Sequence, residues 1–241
     1  MSDLKGDFAR HISSEFNEEL EELCADLMKM GGLAERQVRL AVECHERFDS
    51  ALVEQIRSAE NSVNAWEIRI DELVESVIAR RQPTASDLRL VLVVSKIVRD
   101  LERAGDEANK VALMAQQAHE AGRSSTVGMV EVRAIGEQVI RLLGDSLTSF
   151  ARLDVDMALD IARRDKEVDR IYQSALRSLA TFMIEDPREI GHVLNVMWVL
   201  RALERVGDHA TNVAEHVIYL VKGTDVRHLS VTNVEETLKN S

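Results

Sequence analysis

The residues best suited to chemistry are two carboxylate pairs, Glu102 with Asp106 and Glu204 with Asp208, each inside the five-residue pattern Glu-Arg-x-Gly-Asp. On an α-helix positions i and i+4 lie about 40° apart, so each pair projects from one face as a small anionic stripe. Like charges at that spacing destabilise a helix by roughly 0.2–0.5 kcal/mol, and the glycine between them costs about 1 kcal/mol more. Both penalties make sense if a cation neutralises the pair while the glycine admits another helix or a ligand close to the backbone. In the purely structural alternative, Arg99, Arg103, Arg201 and Arg205 pair with these carboxylates and the glycines only let helices cross.

A single such pair says little in an acidic chain, where Glu67/Asp71, Asp156/Asp160 and Asp165/Asp169 share the spacing. The signal is that the whole five-residue pattern recurs. Asn212 continues the Glu204 and Asp208 stripe by one turn, and Asn109 follows Asp106; in the first copy Lys110 stands where the second has Asn212. A cationic side chain there weakens the first site or fills it in place of a metal. His209 points about 100° away from Asp208 and is left out of the ligand set. Donors dominated by carboxylates suit Mg, Ca, Mn, Fe or, less specifically, Zn, and residue types alone do not choose among them. The sequence shows no nucleophile with an orienting base, no phosphate-cradling glycine loop and no thiolate cluster, so it predicts binding rather than catalysis.

Helices must carry these stripes. The chain has 241 residues with only 2 prolines, 11 glycines and 4% aromatics, a composition rich in helix formers and poor in turn punctuation. Helical stripes in steps of three and four run through Leu20, Leu23, Leu27, Met30, Ala34, Gln37 and Ala41, through Leu52, Ile56, Ala59, Val63, Trp66, Ile70, Leu73 and Val77, and through Leu90, Val94, Ile97, Leu101, Ala104, Ala108 and Val111, apolar except at Gln37. Each set lies on one helical face. Breaks are expected near Phe48-Asp49-Ser50, at Gln82-Pro83-Thr84 and at Ala121-Gly122-Arg123-Ser124-Ser125. Beyond that linker similar stripes predict helices over roughly 130–153, 155–184 and 188–222, with Asp186-Pro187 at the second break.

The two halves also match in sequence. Arg47-Phe48-Asp49 recurs as Arg152-Leu153-Asp154, 105 residues on, and the acidic motif recurs 102 residues on with Ala108, Val111 and Ala112 matching Ala210, Val213 and Ala214. The expected architecture is therefore all-α, two tandem three-helix bundles related by internal duplication: residues 1–121, residues 126–222, and a loose polar tail over 223–241. Helices of this length predict an elongated molecule.

A formal charge of −12 repels phosphate backbones and anionic lipid, which excludes nucleic acid as a partner and leaves cations or basic protein surfaces. Cys24 and Cys44 fall in one predicted helix, roughly 30 Å apart, too far to bridge. Two buried thiols in a reducing compartment are expected. The N-terminus lacks an apolar leader, and the longest apolar stretch, Leu88 to Val98, is broken by Arg89, Ser95 and Lys96, so the expected location is the cytoplasm.

The run ALERVGDHATNVAEHVIY over 202–219, its partner DLERAGDEANKVA, the opening HISSEFNEELEEL from His11 and the following MGGLAERQV together resemble the PhoU family, in order and over nearly the whole chain. The resemblance implies a regulator of phosphate-specific transport with multinuclear metal sites, often iron or zinc, at the acidic motifs. It implies that the protein links the phosphate ABC transporter ATPase to its membrane sensor histidine kinase, restrains phosphate-starvation signalling and phosphate uptake, reaches the membrane only through those partners, and has no enzyme activity. A homodimer is also expected. Carried over by position, the metal set is Glu102 and Asp106, Glu204, Asp208 and Asn212, and, on the middle helix of the second unit, Asp165 and Asp169. The first unit departs from that pattern, offering Glu60 and Asn64 on its middle helix and Lys110 after the motif, so the second unit is expected to hold metal more tightly. Two competing readings remain: a carboxylate-bridged metallohydrolase acting on phosphate compounds, and a helical dimer in which the motif serves only packing.

Overall fold

The computed structural model of the chain describes residues 14–122, 125–227, 229 and 233–234. The first thirteen residues, Arg123 and Ser124 of the linker, and positions 228, 230–232 and 235–241 of the tail lie outside the described residues, among them His11 of the family-like opening. Six long α-helices follow in order: α1 Ser14–Glu46, α2 Ser50–Arg81, α3 Ala85–Glu120, α4 Met129–Arg152, α5 Val155–Glu185 and α6 Ile190–Lys222, the last entered through a 3-10 turn at Pro187–Glu189. No strand occurs among the described residues, and no helix among them is long and apolar enough to cross a membrane.

Each break has a local cause. Asp49 and Asp154, the corner residues matched between the halves, both act as N-caps: the Asp49 carboxylate accepts from Ala51 N and that of Asp154 from Met157 N. Such caps satisfy backbone donors that a helix start leaves unpaired. Gln82 closes α2 in the left-handed region at φ 47, and Pro83 behind it cannot continue a helix. Asp186 caps the 3-10 turn, with Pro187 at its first position.

The apolar stripes face inward. Leu20, Leu23, Leu27, Met30, Ala34 and Ala41 of α1, and Leu90, Val94, Ile97, Leu101, Ala104, Ala108 and Val111 of α3, are all buried. On α2 the alternation is looser, with Trp66 and Leu73 only partly covered. Helices α1, α2 and α3 pack on one another, as do α4, α5 and α6, and the two bundles meet broadly, α3 against α6 and α1 against α4. The buried side chains of both halves form one continuous core, with α2 and α5 on its outer flanks. Gly31 and Gly136 let α1 and α4 approach closely, because a Cβ at either would meet Leu147 or Val42 at under 3 Å.

Two expectations change. The tail is not loose where it is described: Val226 and Val234 are buried in the core, with Val226 only 1% exposed, because the groove between α5 and α6 offers apolar side chains that the tail covers. Both cysteines lie in α1 as free thiols, but only Cys44 is buried and Cys24 is half-buried, since its position falls toward the edge of the helix's apolar face.

Candidate metal centre

Helix α6 sets Glu204 and Asp208 one turn apart, and α5 lays Asp165 and Asp169 opposite them. The two helices are in ordinary contact here: a Cβ on Gly207 would stand 3.4 Å from Asp165 Oδ1 and from Val139. Glu204 lies at the bottom, only 8% exposed, Asp165 is half-buried, and Asp169 and Asp208 form the open rim. Burial and crowding disfavour charge at Asp165, Glu204 and Asp208. Burial first, then Asp208 and Asp169, lifts the Asp165 carboxyl to about 6. Burial, then Asp208, pushes Glu204 up to about 7 against the pull of Arg201, with Asp169 and Asp165 adding. Asp208 is raised by burial and by Asp169, with Arg201 opposing.

Arg201 Nη1 donates to Glu204 Oε1 at 2.6 Å, so the structural alternative of Arg pairing is half realised here. The other oxygen of that carboxylate, Oε2, is buried without a partner. An orphaned buried carboxylate oxygen amid three further carboxylates fits a hard divalent cation, whose charge would relieve the repulsion and whose coordination takes oxygen. Among the described residues no three His, Cys, Asp or Glu stand close enough to enclose a metal as they are. Closing the cluster round an ion thus requires side-chain rotation, with the unpartnered Glu204 Oε2 available as a donor.

The first repeat builds a shallower counterpart between α2 and α3. Glu102 is raised by burial and by Asp106, Glu67 and Glu60; Glu60 by burial and Asp106; Glu67 by burial, Asp71 and Asp106. Asn64 is exposed. Lys110 does not enter this cluster: its Nζ sits 3.0 Å from Glu107 Oε1, which also takes Arg205 Nε at 3.0 Å. Glu67, half of an ordinary acidic pair with Asp71 by spacing, is a member of the first site. Its signal is the polar stripe of Glu60, Asn64, Glu67 and Asp71 on one face of α2.

Asn212 is turned elsewhere. Its Nδ2 donates to Asp100 Oδ1 at 2.9 Å, across the seam between the repeats, where His209 Nδ1 lies 3.0 Å from the same oxygen and His216 Nε2 3.5 Å from Oδ2. Burial would push the Asp100 carboxyl up, but the His209, His216 and Asn212 contacts outweigh it and hold it well below the usual range. This buried polar cluster was not read from the sequence. Its trace lies in the mismatches between copies: Glu107 against His209, Lys110 against Asn212 and Met114 against His216 are the positions that face the seam.

The motif glycines differ in role. Gln37, buried, donates from Nε2 to Gly105 O at 3.0 Å, and a Cβ on Gly105 would meet Gln37 Oε1 at 2.9 Å. At Gly207 the same Cβ finds ordinary contact distances.

The fold and the clusters define a tandem three-helix-repeat protein with one carboxylate cluster on the outer flank of each repeat. The PhoU domain matches the chain twice, at residues 27–115 and 132–217. The chain belongs to the PhoU family. It is 52% identical over 237 residues to the phosphate-specific transport system accessory protein PhoU homolog of Pseudomonas aeruginosa, covering 98% of each. It is 40% identical over 229 residues to the accessory protein PhoU of Escherichia coli, covering 95% of this chain and 94% of that one. Its structure resembles the crystal structure of PhoU from Pseudomonas aeruginosa with a TM-score of 0.84 at 54% identity, over 87% of this chain and 100% of the other. The phosphate transport system regulatory protein PhoU from Streptococcus pneumoniae gives a TM-score of 0.79 at 25% identity, over 88% of this chain and 99% of the other. These names describe accessory and regulatory proteins, not enzymes.

Proposed function

We propose that the protein is a cation-binding accessory regulator of phosphate-specific transport, which links the transporter ATPase to the sensor histidine kinase and restrains phosphate-starvation signalling and phosphate uptake. The role in phosphate transport is supported by the relatives, which match almost end to end and carry that name. The observation that carries the cation part is the crowded, mutually repelling carboxylate set of Glu204, Asp208, Asp165 and Asp169, with Glu204 buried at its floor and the Oε2 of that residue orphaned. These four residues would hold the ion, with Glu102, Asp106, Glu60 and Glu67 forming the shallower site; Asn212 belongs to the seam until a rotation frees it. A bound divalent ion supplies charge neutralisation, and with it a change in the electrostatics of the α5–α6 flank.

Metal content of protein purified without a chelating tag tests the cation part. Wild type retains divalent metal and the Glu204→Ala/Asp208→Ala double variant retains at most the share held by the first repeat; equal content in both would end the assignment of this site. Deletion of the gene tests the regulatory part, with phosphate-starvation genes expressed in phosphate-rich medium as the expected outcome and normal repression as the opposing one.

A further inference from the structure

Beside the two carboxylate clusters, the seam of α3 and α6 opens into a groove of about 680 Å³. Met114 and Lys110 line it from α3, and Leu194, Trp198, Arg201 and Arg205 from α6. Trp198 is 64% exposed and Leu194 45%, one turn apart on the same helical face. Adjacent large apolar side chains left in water, rimmed by polar groups, are characteristic of interaction sites, where tryptophan and arginine are the anchors found most often.

Charge and shape both point to the kind of partner. Lys110, Arg201 and Arg205 stand against a single lining acid, Glu107, on a chain whose formal charge is −12. Arg201 and Arg205 each hold one carboxylate oxygen, yet each side chain is 47% exposed, and a guanidinium has five donors. An acidic partner is repelled by most of this surface and attracted here. The α3 wall is lined at positions 107, 110, 114 and 117 and at Ala121 just past its end, steps of three and four over roughly 21 Å at 1.5 Å per residue. Contacts between Met114 and Asn195 and between Glu107 and Arg205 show α6 running antiparallel to α3. Two antiparallel helices with such a seam accept a third helix of about four turns.

We propose that this groove docks an acidic amphipathic helix of a partner protein, whose apolar stripe covers Met114, Leu194 and Trp198 and whose carboxylates meet Lys110, Arg201 and Arg205. The inference rests on the reading of the protein as an adaptor and names the surface and chemistry by which it adapts.

The test uses the full chain in a Trp66→Phe background, which leaves Trp198 as its one tryptophan. The probe is a labelled 16-residue helical peptide with leucine at heptad a and d and glutamate at e and g, compared with the same peptide carrying lysine for glutamate. Saturable binding of the acidic peptide with a blue shift of Trp198 emission, at least tenfold tighter than the basic one, is expected. Trp198→Ala, followed by anisotropy, and Arg201→Ala/Arg205→Ala are each expected to weaken it at least tenfold with unchanged circular dichroism. Equal affinity for both peptides, or no saturable binding, overturns the proposal. A blue shift that grows with protein concentration alone, together with a dimer in sedimentation that Trp198→Ala abolishes, also overturns it by assigning the groove to a second copy of the chain. Capture of the transporter ATPase from phosphate-replete cells separates the two readings: capture that survives Trp198→Ala removes the groove and leaves the adaptor, whereas a wild-type chain that captures neither ATPase nor kinase while still binding the peptide removes the adaptor.

Discussion

Replacing Glu204 with glutamine probes the electrostatics of the second cluster with little change of shape, because an amide oxygen remains for Arg201 Nη1. In the folded chain the Glu204 carboxyl is lifted from its ordinary value of 4.5 to about 7. A raised carboxyl favours the protonated native state, so its stabilising contribution is complete below the unfolded value and is lost as pH rises from about 4.5 through about 7. At 1.36 kcal/mol per pKa unit the whole displacement corresponds to roughly 3 kcal/mol against the ionised native state above pH 7. Water reaching the open rim of Asp169 and Asp208 screens part of it, leaving about 1–2 kcal/mol. Thermal unfolding in EDTA therefore places Glu204→Gln above wild type at pH 8, by about 2–4 °C for each kcal/mol in a chain of this size. The gap closes as pH approaches 4.5. His45, whose burial pushes its imidazole down to about 4, gives both proteins the opposite trend, a loss of stability as pH falls from about 6.5, and it cancels in the difference. Adding Mn²⁺ reverses the order, since ion at a hundredfold excess over Kd stabilises the binding-competent wild type by about 2.7 kcal/mol. A variant less stable than wild type at pH 8 in EDTA, or a gap that does not change with pH, refutes the reasoning.

Alanine at the two motif glycines should separate them: Gly105→Ala forces Gln37 off its bond to Gly105 O and lowers stability by about 1–3 kcal/mol, whereas Gly207→Ala is neutral or gains up to about 1 kcal/mol from helix propensity, both read by urea unfolding. Asp100→Ala leaves His209, Asn212 and His216 without their shared acceptor and should cost about 3–5 kcal/mol, with faster amide exchange along α3 and α6; a loss under 1 kcal/mol would show that the seam does not depend on this carboxylate.

What the sequence determined by itself is what depends on neighbours along the chain. Steps of three and four in the apolar residues fixed which faces of α1 and α3 are buried, recurrence of Arg47-Phe48-Asp49 as Arg152-Leu153-Asp154 marked matching corners, Pro83 and Pro187 marked the breaks, and repetition of Glu-Arg-x-Gly-Asp singled out Glu102, Asp106, Glu204 and Asp208. Each of these is a local matter of helical geometry or backbone hydrogen bonding, legible over a few residues. Only the tertiary structure decided which residues face each other across helices. It brought Asp165 and Asp169 opposite Glu204, added Glu67 to the first cluster, turned Asn212 to Asp100, committed Lys110 to Glu107, buried Val226 and Val234 of the tail, and joined the two expected bundles through a continuous core. The physical reason is that pairing across helices depends on the angle and separation at which they pack, and these follow from the sum of many contacts such as Gly31 on Leu147. No spacing within a single helix carries that information.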